Sequence, residues 1–204
     1  MNVVEAAKRL AALGMNPGKA GNVSTRRGTG FLITPSAKSY ESLGIEDLVE
    51  VDAEGKPRGS HEPSSEWRLH HDIYARHADA QAVVHTHSPY ATTLACLHRG
   101  IPPFHYEVAL AGGSDIRCAG YATFGTQQLS DLALSALENR RACLLANHGS
   151  VAFGETLEAA VLLAEKVEAL ARIYWQAIQV GEPPRLDEGQ MAEVLEKYRH
   201  YGRS

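Results

Sequence analysis

The segment "AQAVVHTHS", residues 80–88, leads a short apolar run into two histidines and limits the folds open to the chain. Its apolar character predicts a buried β-strand, and the segment "PYATTLACLHRG" after it predicts a helix. Helix and strand patterns are interspersed along the rest of the chain as well. Since sheets and helices bury their apolar faces against each other, we expect a layered domain of the α/β or α+β class. The pattern does not predict the order of the strands.

Apolar residues at helical spacing predict further helices along the chain. These helices are expected at residues 2–14, 63–77, 126–142, 156–181 and 187–202. Strands are expected at "GFLIT", "DLVEV" and "ACLLANHGSVAFG", the last of which should end at His148 and Gly149. "GFLIT" is the one strand expected within residues 16–43, which are otherwise rich in Gly, Ser and Thr. No internal repeat or low-complexity linker interrupts these elements.

The composition is that of an ordinary globular protein of 204 residues, with 44% hydrophobic and 22% charged residues. This length suits a single domain, which we expect to span residues 1–204. The net charge of −4 argues against general binding to nucleic acid or to an anionic membrane. No apolar run approaches the roughly 20 residues that span a bilayer. Cys96, Cys118 and Cys143 form no CxxC pair, so we expect a reduced, cytoplasmic setting.

Three histidines at strand ends predict a metal site. His85 and His87 are two positions apart, and a strand projects such side chains from the same face. His148 follows another apolar strand, and Gly149 beside it allows close backbone approach. Three imidazoles that leave a fourth position open are typical of a catalytic zinc site, although Mn²⁺, Co²⁺ or Fe²⁺ also suit such ligands. Taken alone, each of these three histidines is also compatible with a packed core residue or a surface residue.

Polar residues near the start of the second predicted helix are candidates for substrate binding. Glu66 stands there, where a carboxylate also commonly serves the helix dipole. Ser64 and Ser65 precede it, and hydroxyl and N–H groups at a helix start can hold a phosphate without lysine or arginine. The Gly21-Asn22 pair offers a second backbone nest. Each of these segments taken alone is also compatible with an ordinary turn.

Taken together, the motifs resemble the class II sugar-phosphate aldolase family, which also contains the adducin head. The resemblance runs nearly from end to end of the chain. It rests on eight segments in order: "GNVS", "LITPSA", "EPSSEW", "AVVHTHS", "IPPFHYEVALAGG", "YATFGT", "ANHGSVAFG" and "VLEKYRHYG". It implies one α/β/α domain around a mainly antiparallel sheet, in a C4 homotetramer with active sites at the subunit interfaces. It also implies reversible cleavage of a ketose 1-phosphate, such as L-fuculose 1-phosphate, into dihydroxyacetone phosphate and an aldehyde such as L-lactaldehyde.

The resemblance also assigns roles to individual residues. One Zn²⁺ per subunit would be bound by His85, His87 and His148, with Glu66 both touching the resting metal and acting as the catalytic base. Tyr106 matches a tyrosine that reaches in from a neighbouring subunit to protonate the aldehyde oxygen. The remaining matches are to substrate contacts. They are Gly21, Asn22, Ser36, Ser64 and Ser65 around the phosphate, and Tyr201 as a second aromatic that closes the site.

Other activities within the family remain open. A ribulose-phosphate 4-epimerase would need an additional Asp and His pair, and "YATFGT" holds no aspartate. A methylthioribulose-phosphate dehydratase and a non-catalytic module like the adducin head are further alternatives. One position departs from the family pattern: Ala37 stands where the phosphate loop usually has glycine. Its methyl group is expected to crowd the loop or to disfavour a positive φ, which puts the preferred sugar phosphate in question.

Overall fold

A single eight-stranded sheet forms the centre of the molecule. A computed structural model describes residues 1–200. The strands, numbered in chain order, are β1 Asn22–Arg27, β2 Gly30–Ile33, β3 Val49–Val51, β4 Pro57–Arg58, β5 Ala82–Thr86, β6 Cys118–Ala119, β7 Ala142–Leu145 and β8 Gly149–Gly154. Their order across the sheet is β4-β3-β2-β1-β5-β8-β7-β6. Every neighbouring pair is antiparallel except β6 and β7, which are parallel.

Residues 1–200 contain six α-helices, of which the first five pack against the sheet and the last packs against a 3₁₀ helix. They are α1 Val3–Ala12, α2 Trp67–Arg76, α3 Pro89–Cys96, α4 Gln127–Ala136, α5 Leu157–Ile178 and α6 Glu188–His200. Short 3₁₀ helices lie at Tyr40–Ser42, Ile45–Asp47 and Tyr106–Ala111. Local sequence fixes several helix starts. At α1, the Asn2 side chain accepts from the Glu5 N–H while the Glu5 carboxylate accepts from the Asn2 N–H. At α5, the Thr156 hydroxyl accepts from the Ala159 N–H.

Two apolar cores lie on opposite faces of the sheet. Val84 of β5 belongs to the core formed with α1, α3 and α5, where Leu10, Leu94 and Val167 are buried. Val83, the neighbouring residue, points to the other face and packs in the core formed with α2 and α4. This alternation explains why the β5 segment is apolar throughout. The architecture is therefore a single α/β/α domain around a mainly antiparallel sheet, as predicted.

Two predictions about strands were wrong. Residues 22–27 form β1 at the centre of the sheet, although Ser24, Thr25 and the following arginines give them no apolar appearance. The segment "ACLLANHGSVAFG" is two strands rather than one, β7 and β8, which pair as a hairpin. The reversal occurs at Asn147, whose φ of 55° turns the chain back, and the His148 N–H donates to the Leu145 carbonyl across the turn.

Two further features concern the helices and the cysteine side chains. Within residues 1–200, no helix has both the length and the apolar character needed to cross a bilayer. Cys96, Cys118 and Cys143 are all free thiols. Burial raises the pKa of the Cys118 thiol to about 11, which makes it a poor nucleophile.

Candidate metal centre

Four side chains from three separate segments converge where the central strands β5 and β8 meet at one end of the sheet. His85 lies in β5 and His87 just beyond it, His148 lies in the β7–β8 turn, and Glu66 directly precedes α2. Their ligand atoms, one per residue, all lie within 4.8 Å of one another. The structure thus brings together the four residues that the sequence singled out as metal ligands.

Strand pairing produces this convergence. β5 and β8 are antiparallel, with Thr86 opposite Ser150, so the end of β5 meets the turn that carries His148. Gly149 is required at this point. A Cβ atom built on Gly149 would lie 2.2 Å from the Thr86 carbonyl oxygen, a distance that no real Cβ contact reaches. The absence of a side chain at Gly149 therefore lets the two segments approach closely enough for His85, His87 and His148 to meet.

The backbone fixes the orientation of the His85 ring. His85 is fully buried, and its Nδ1 atom donates to the Ser150 carbonyl at 2.9 Å. The Nε2 atom therefore faces the cluster, 3.0 Å from His87 Nε2 and 3.0 Å from Glu66 Oε2. A backbone hydrogen bond of this kind is the usual way in which a metal-binding histidine is held in one tautomer.

Glu66 points into the cluster and does not cap its helix. It occupies the N-cap position of α2, but its side chain makes no capping hydrogen bond. The carboxylate is buried, with Oε2 accepting from Asn22 Nδ2 at 3.0 Å and Oε1 lying 3.3 Å from His148 Nε2. Oε1 has no hydrogen-bond partner among residues 1–200. Its position at the start of α2 therefore serves the cluster, and not the helix dipole alone.

The charges in the cluster follow from burial and mutual contact. Burial alone would raise the pKa of Glu66, but the His85 and His148 rings and the Asn22 amide together lower it, so Glu66 is ionised. Burial and the neighbouring His85 lower the pKa values of His87 and His148 to about 4. The same Glu66 carboxylate outweighs burial at His85 and raises its pKa. At neutral pH the cluster therefore contains a carboxylate and two neutral imidazoles.

These donors suit a divalent metal ion. Imidazole and carboxylate are ordinary zinc ligands, and a three-histidine site with a fourth position open is the pattern of catalytic zinc. The raised pKa of His85 keeps a proton on Nε2 in the metal-free cluster, and a bound metal ion would displace that proton. A divalent cation accepts all four lone pairs at once and satisfies the otherwise unpartnered Oε1 atom of Glu66. The residues present fit such an ion.

Three polar segments surround the Glu66 carboxylate. The Thr34 N–H donates to the Val23 carbonyl at 3.1 Å, and the Ser64 N–H donates to the Thr34 carbonyl at 3.0 Å. The Ser36 N–H donates to the Glu62 carbonyl at 2.9 Å. These bonds hold three segments side by side: residues 21–23 at the start of β1, residues 34–37 after β2, and residues 62–66 before α2. The candidate phosphate contacts Gly21, Asn22, Ser36, Ser64 and Ser65 all belong to these segments.

Positive φ values shape two of these segments. Gly21 has a φ of 72°, and a Cβ atom there would lie 2.3 Å from Asn16 Oδ1. Ala37 has a φ of 56°, so its methyl group does not forbid a positive φ. The loop adopts the left-handed conformation with alanine in place, at a cost of roughly 1–2 kcal/mol for a non-glycine residue.

The structure describes only Tyr106 of the two tyrosines expected at the site. Tyr106 begins the 3₁₀ helix, is 51% exposed, and stacks on the ring of His105 at 4.9 Å. No hydrogen bond joins Tyr106 to the cluster within the part of the chain that the structure describes. Tyr201 lies outside the described residues. The role of either tyrosine stays a prediction.

Two buried residues near the site were missed by the sequence reasoning. Asn16 is 3% exposed, and its Oδ1 atom accepts from the His87 N–H at 3.3 Å. It lies in a loop whose sequence gives no signal of burial. His70 lies in the middle of α2, and its sequence context does not mark it as a metal ligand. It is fully buried and bonds to Asn22, which a helical projection beside Ile73 and Tyr74 could have indicated.

Comparison with known proteins agrees with this geometry. Residues 1–175 match the family model described as Class II Aldolase and Adducin N-terminal domain. The chain belongs to this family. Its sequence is 54% identical over 200 residues to the 5-methylthioribulose-1-phosphate/5-deoxyribulose-1-phosphate aldolase of Rhodospirillum rubrum, covering 98% of this chain and 90% of that protein. It is 44% identical over 201 residues to the L-fuculose phosphate aldolase of Escherichia coli K12, covering 98% and 94%.

A solved structure extends the similarity to three dimensions. An L-fuculose 1-phosphate aldolase superposes on this chain with a TM-score of 0.93 and 38% sequence identity, covering 97% of this chain and 94% of the other. The fold and the family are therefore those of the class II aldolases, and aldolase names recur among the relatives.

Proposed function

We propose that the protein is a metal-dependent aldolase that reversibly cleaves a ketose 1-phosphate into dihydroxyacetone phosphate and an aldehyde. The observation that carries this proposal is the buried Glu66, His85, His87 and His148 cluster, flanked by loops rich in backbone N–H and hydroxyl groups. Membership of a family with many aldolase-named proteins supports the same reaction class.

His85, His87 and His148 would hold the metal ion, with Glu66 as a ligand in the resting state. Zn²⁺ is the first candidate because imidazole suits it, and Mn²⁺, Co²⁺ or Fe²⁺ are the alternatives. When bound, the ion supplies a fixed positive charge that stabilises the negative charge developing on the substrate. An electrophile of this kind removes the need for a Schiff-base lysine.

Glu66 would act as the base. Its carboxylate is ionised, as its lowered pKa requires, and no residue from 1 to 200 forms a hydrogen bond with the Oε1 atom. In the synthetic direction, this carboxylate accepts the proton from the hydroxyl-bearing carbon of dihydroxyacetone phosphate. In the cleavage direction, the same proton returns to that carbon after the carbon–carbon bond has broken.

Backbone and hydroxyl groups would bind the phosphate. The Ser64 hydroxyl oxygen accepts from the Glu66 N–H at 3.3 Å, which leaves the hydroxyl proton free to donate to an anion. Ser36 lies in segment 34–37 and Ser65 in segment 62–66, and both serines are exposed. Gly21 and Asn22 complete the cradle. Lys38, beside the loop, is paired with Asp47, so the cradle depends on neutral donors.

Two kinds of substrate, three sugar phosphates in all, are favoured by the comparisons. L-fuculose 1-phosphate is the first, after the Escherichia coli relative at 44% identity. 5-Deoxyribulose 1-phosphate, with 5-methylthioribulose 1-phosphate, is the second, and the higher identity of 54% to the Rhodospirillum rubrum relative supports it. All three release dihydroxyacetone phosphate and differ only in the aldehyde. A non-catalytic role like that of adducin would predict a degraded cluster, whereas all four donors are present.

We further propose a cytoplasmic homotetramer whose active sites lie at the subunit interfaces. Tyr106 is half exposed, which suits a side chain that reaches into a neighbouring subunit to protonate the aldehyde oxygen. Tyr201 would close the same site from the C-terminal tail.

Replacement of Glu66 by glutamine tests the proposal. The amide keeps the shape of the side chain but cannot accept a proton at neutral pH, so Glu66→Gln should lose roughly 10²–10⁴-fold in rate. The readout is exchange of the dihydroxyacetone phosphate C–H proton with deuterated water, without aldehyde, in zinc-loaded protein. Glu62→Gln, an exposed glutamate in the same loop, is the matched control and should exchange normally. Exchange at the wild-type rate by Glu66→Gln would show that Glu66 is not the base.

A further inference from the structure

A fully buried histidine lies behind the cluster and has no part in the mechanism above. His70, on α2, is 0% exposed. Its Nδ1 atom lies 2.6 Å from Ser24 Oγ, and its Nε2 atom bonds to Asn22 Oδ1. Burial lowers the pKa of His70 to about 3, so the ring is neutral and carries one N–H proton. The position of that proton decides what His70 does.

The Glu66 carboxylate determines the direction of every bond in this network. An ionised carboxylate is an acceptor only, so Asn22 must turn its Nδ2 atom toward Glu66 Oε2, where the distance is 3.0 Å. Asn22 Oδ1 then faces His70 Nε2, which must therefore carry the ring proton. His70 Nδ1 is left as an acceptor and takes the Ser24 hydroxyl proton. Ser24 Oγ in turn accepts from the Tyr74 hydroxyl at 2.7 Å.

All four hydrogen bonds thus donate toward Glu66. The opposite tautomer of His70 would place Asn22 Oδ1 against a carboxylate oxygen at 3.0 Å, two acceptors with no proton between them. Hydrogen bonds that run in one direction polarise one another and strengthen in a buried setting. The network ends on Oε2 and makes no bond to Oε1, which has no hydrogen-bond partner among the residues that the structure describes.

We propose that His70 is a positioning residue for Glu66: its Nε2–H tautomer fixes the Asn22 amide, which holds Glu66 Oε2 and leaves Oε1 to take the substrate proton. This inference rests on the proposed function of Glu66 as the base. A network that served only to fill the core would contribute to the stability of the fold, and its loss would not slow proton transfer to Glu66.

The tautomer of His70 is measured by ¹⁵N NMR of the zinc-loaded protein with labelled histidine. The His70 signals are those that disappear in His70→Gln. We expect Nε2 to be protonated and Nδ1 to be unprotonated between pH 6 and pH 8. In Glu66→Gln the side-chain amide can donate as well as accept, so the Asn22 amide is released and the tautomer should become mixed. An Nδ1–H tautomer in the wild-type protein would overturn the proposal.

Replacement of His70 separates positioning from packing. Glutamine can donate to Asn22 and accept from Ser24, whereas leucine fills a similar volume and can do neither. Loss of a partner that orients an active-site group commonly costs 10–100-fold. We therefore expect His70→Leu to lower kcat for proton exchange by roughly 10-fold or more, with KM for dihydroxyacetone phosphate and zinc content little changed. His70→Gln should recover most of the rate, and His71→Gln is the control on the same helix.

The outcomes distinguish the two proposals. If wild-type protein loaded with zinc exchanges no proton of dihydroxyacetone phosphate, the proposed function fails. If the wild-type protein exchanges and folded, zinc-loaded His70→Leu exchanges at the same rate, the positioning role fails. Should His70→Leu not fold, Ser24→Ala removes only the hydroxyl that donates to Nδ1. A mixed His70 tautomer with slower exchange in Ser24→Ala supports the proposal, and an unchanged tautomer and rate would overturn it.

Discussion

His98 and Asn147 are both held in the left-handed backbone region, and their side chains bond to each other. Their φ values are 51° and 55°, and His98 Nε2 contacts Asn147 Oδ1. The Asn147 N–H also donates to the Ala95 carbonyl at 3.1 Å. Two strained residues thus tie the β7–β8 turn to the end of α3. Because His148 is the next residue, this tie positions one corner of the candidate metal centre.

Asn147→Ala should weaken both the fold and metal binding. Alanine tolerates the left-handed region less well than asparagine and loses the bond to His98, so we expect a loss of about 1–3 kcal/mol in the free energy of unfolding. Zinc affinity, measured by competition with a chelator, should fall because His148 is less well placed. Asn139→Ala is the matched control, since Asn139 has a φ of 56° but lies on an exposed loop after α4. Equal zinc affinity in both variants would argue against the role of the turn.

His87→Ala should lose metal and activity together. Three imidazoles are the usual ligand set of a catalytic zinc, and removal of one leaves the remaining donors too few to hold it tightly. Zinc content per chain, from elemental analysis after dialysis, should drop well below that of wild-type protein, and cleavage should be abolished. His61→Ala changes an exposed histidine outside the cluster and should retain both. Full metal and full activity in His87→Ala would show that the ligand assignment is wrong.

Ala37→Gly should tighten the binding of dihydroxyacetone phosphate. Ala37 already has a φ of 56°, so glycine keeps the loop shape and removes the methyl group that we expect to crowd the bound phosphate. The relief of roughly 1–2 kcal/mol of backbone strain is offset by about 0.4–1 kcal/mol of added flexibility in the unfolded chain, so stability should change little. Calorimetric titration of zinc-loaded protein gives the Kd. Unchanged or weaker binding would mean that the loop has adapted to alanine.

Activity should depend on residues from two subunits that together form one active site. If Tyr106 crosses to a neighbour, then His87→Ala and Tyr106→Phe, each nearly inactive alone, should regain part of the activity when refolded as a mixture. Mixed oligomers would contain some sites with wild-type residues on both sides. Native mass spectrometry establishes that mixed oligomers form. If they form without any recovery, Tyr106 acts within its own subunit or outside the site.

The stability of the metal-free protein should fall as the pH drops below 7, with His70 as one cause. Burial lowers the His70 pKa from 6.5 to about 3. Between these values the unfolded chain binds a proton that the folded protein does not, so stability is lost as pH falls. From pH 7 to pH 5 this amounts to about 2 kcal/mol. Urea unfolding should therefore show a shallower pH dependence for His70→Gln than for wild-type protein, and parallel curves would contradict this assignment.

The fold class and the pairing of His85 with His87 were predictable because their signals are local. A short apolar strand that ends in "HTH" places His85 and His87 together through strand geometry alone, and the interspersed elements indicate a layered domain. The pairing of β5 with β8 brings His148 to them, and such long-range pairing leaves no mark within either strand. The motif resemblance, rather than periodicity, indicated the antiparallel sheet.

The residues that were missed lack a pattern of their own. β1 escaped prediction because its inner positions include Asn22 and Ser24, whose burial depends on His70 and Glu66 from another segment. A polar residue becomes suitable for burial only when its partners arrive from elsewhere in the chain. The left-handed conformation of Ala37 was missed for a related reason, since alanine alone favours the opposite sign of φ.

The distribution of the cluster over three distant segments sets the order of events as the chain folds. A newly made chain that has reached residue 100 already contains Glu66, His85 and His87, but β8 and the turn with His148 come later. The entropy of closing these long loops must be overcome by the pairing of β5 with β8 before the last imidazole arrives. Zinc that binds only the finished site would then stabilise the completed sheet. It would add about 2.7 kcal/mol to the free energy of unfolding when the free zinc concentration is a hundred times the Kd.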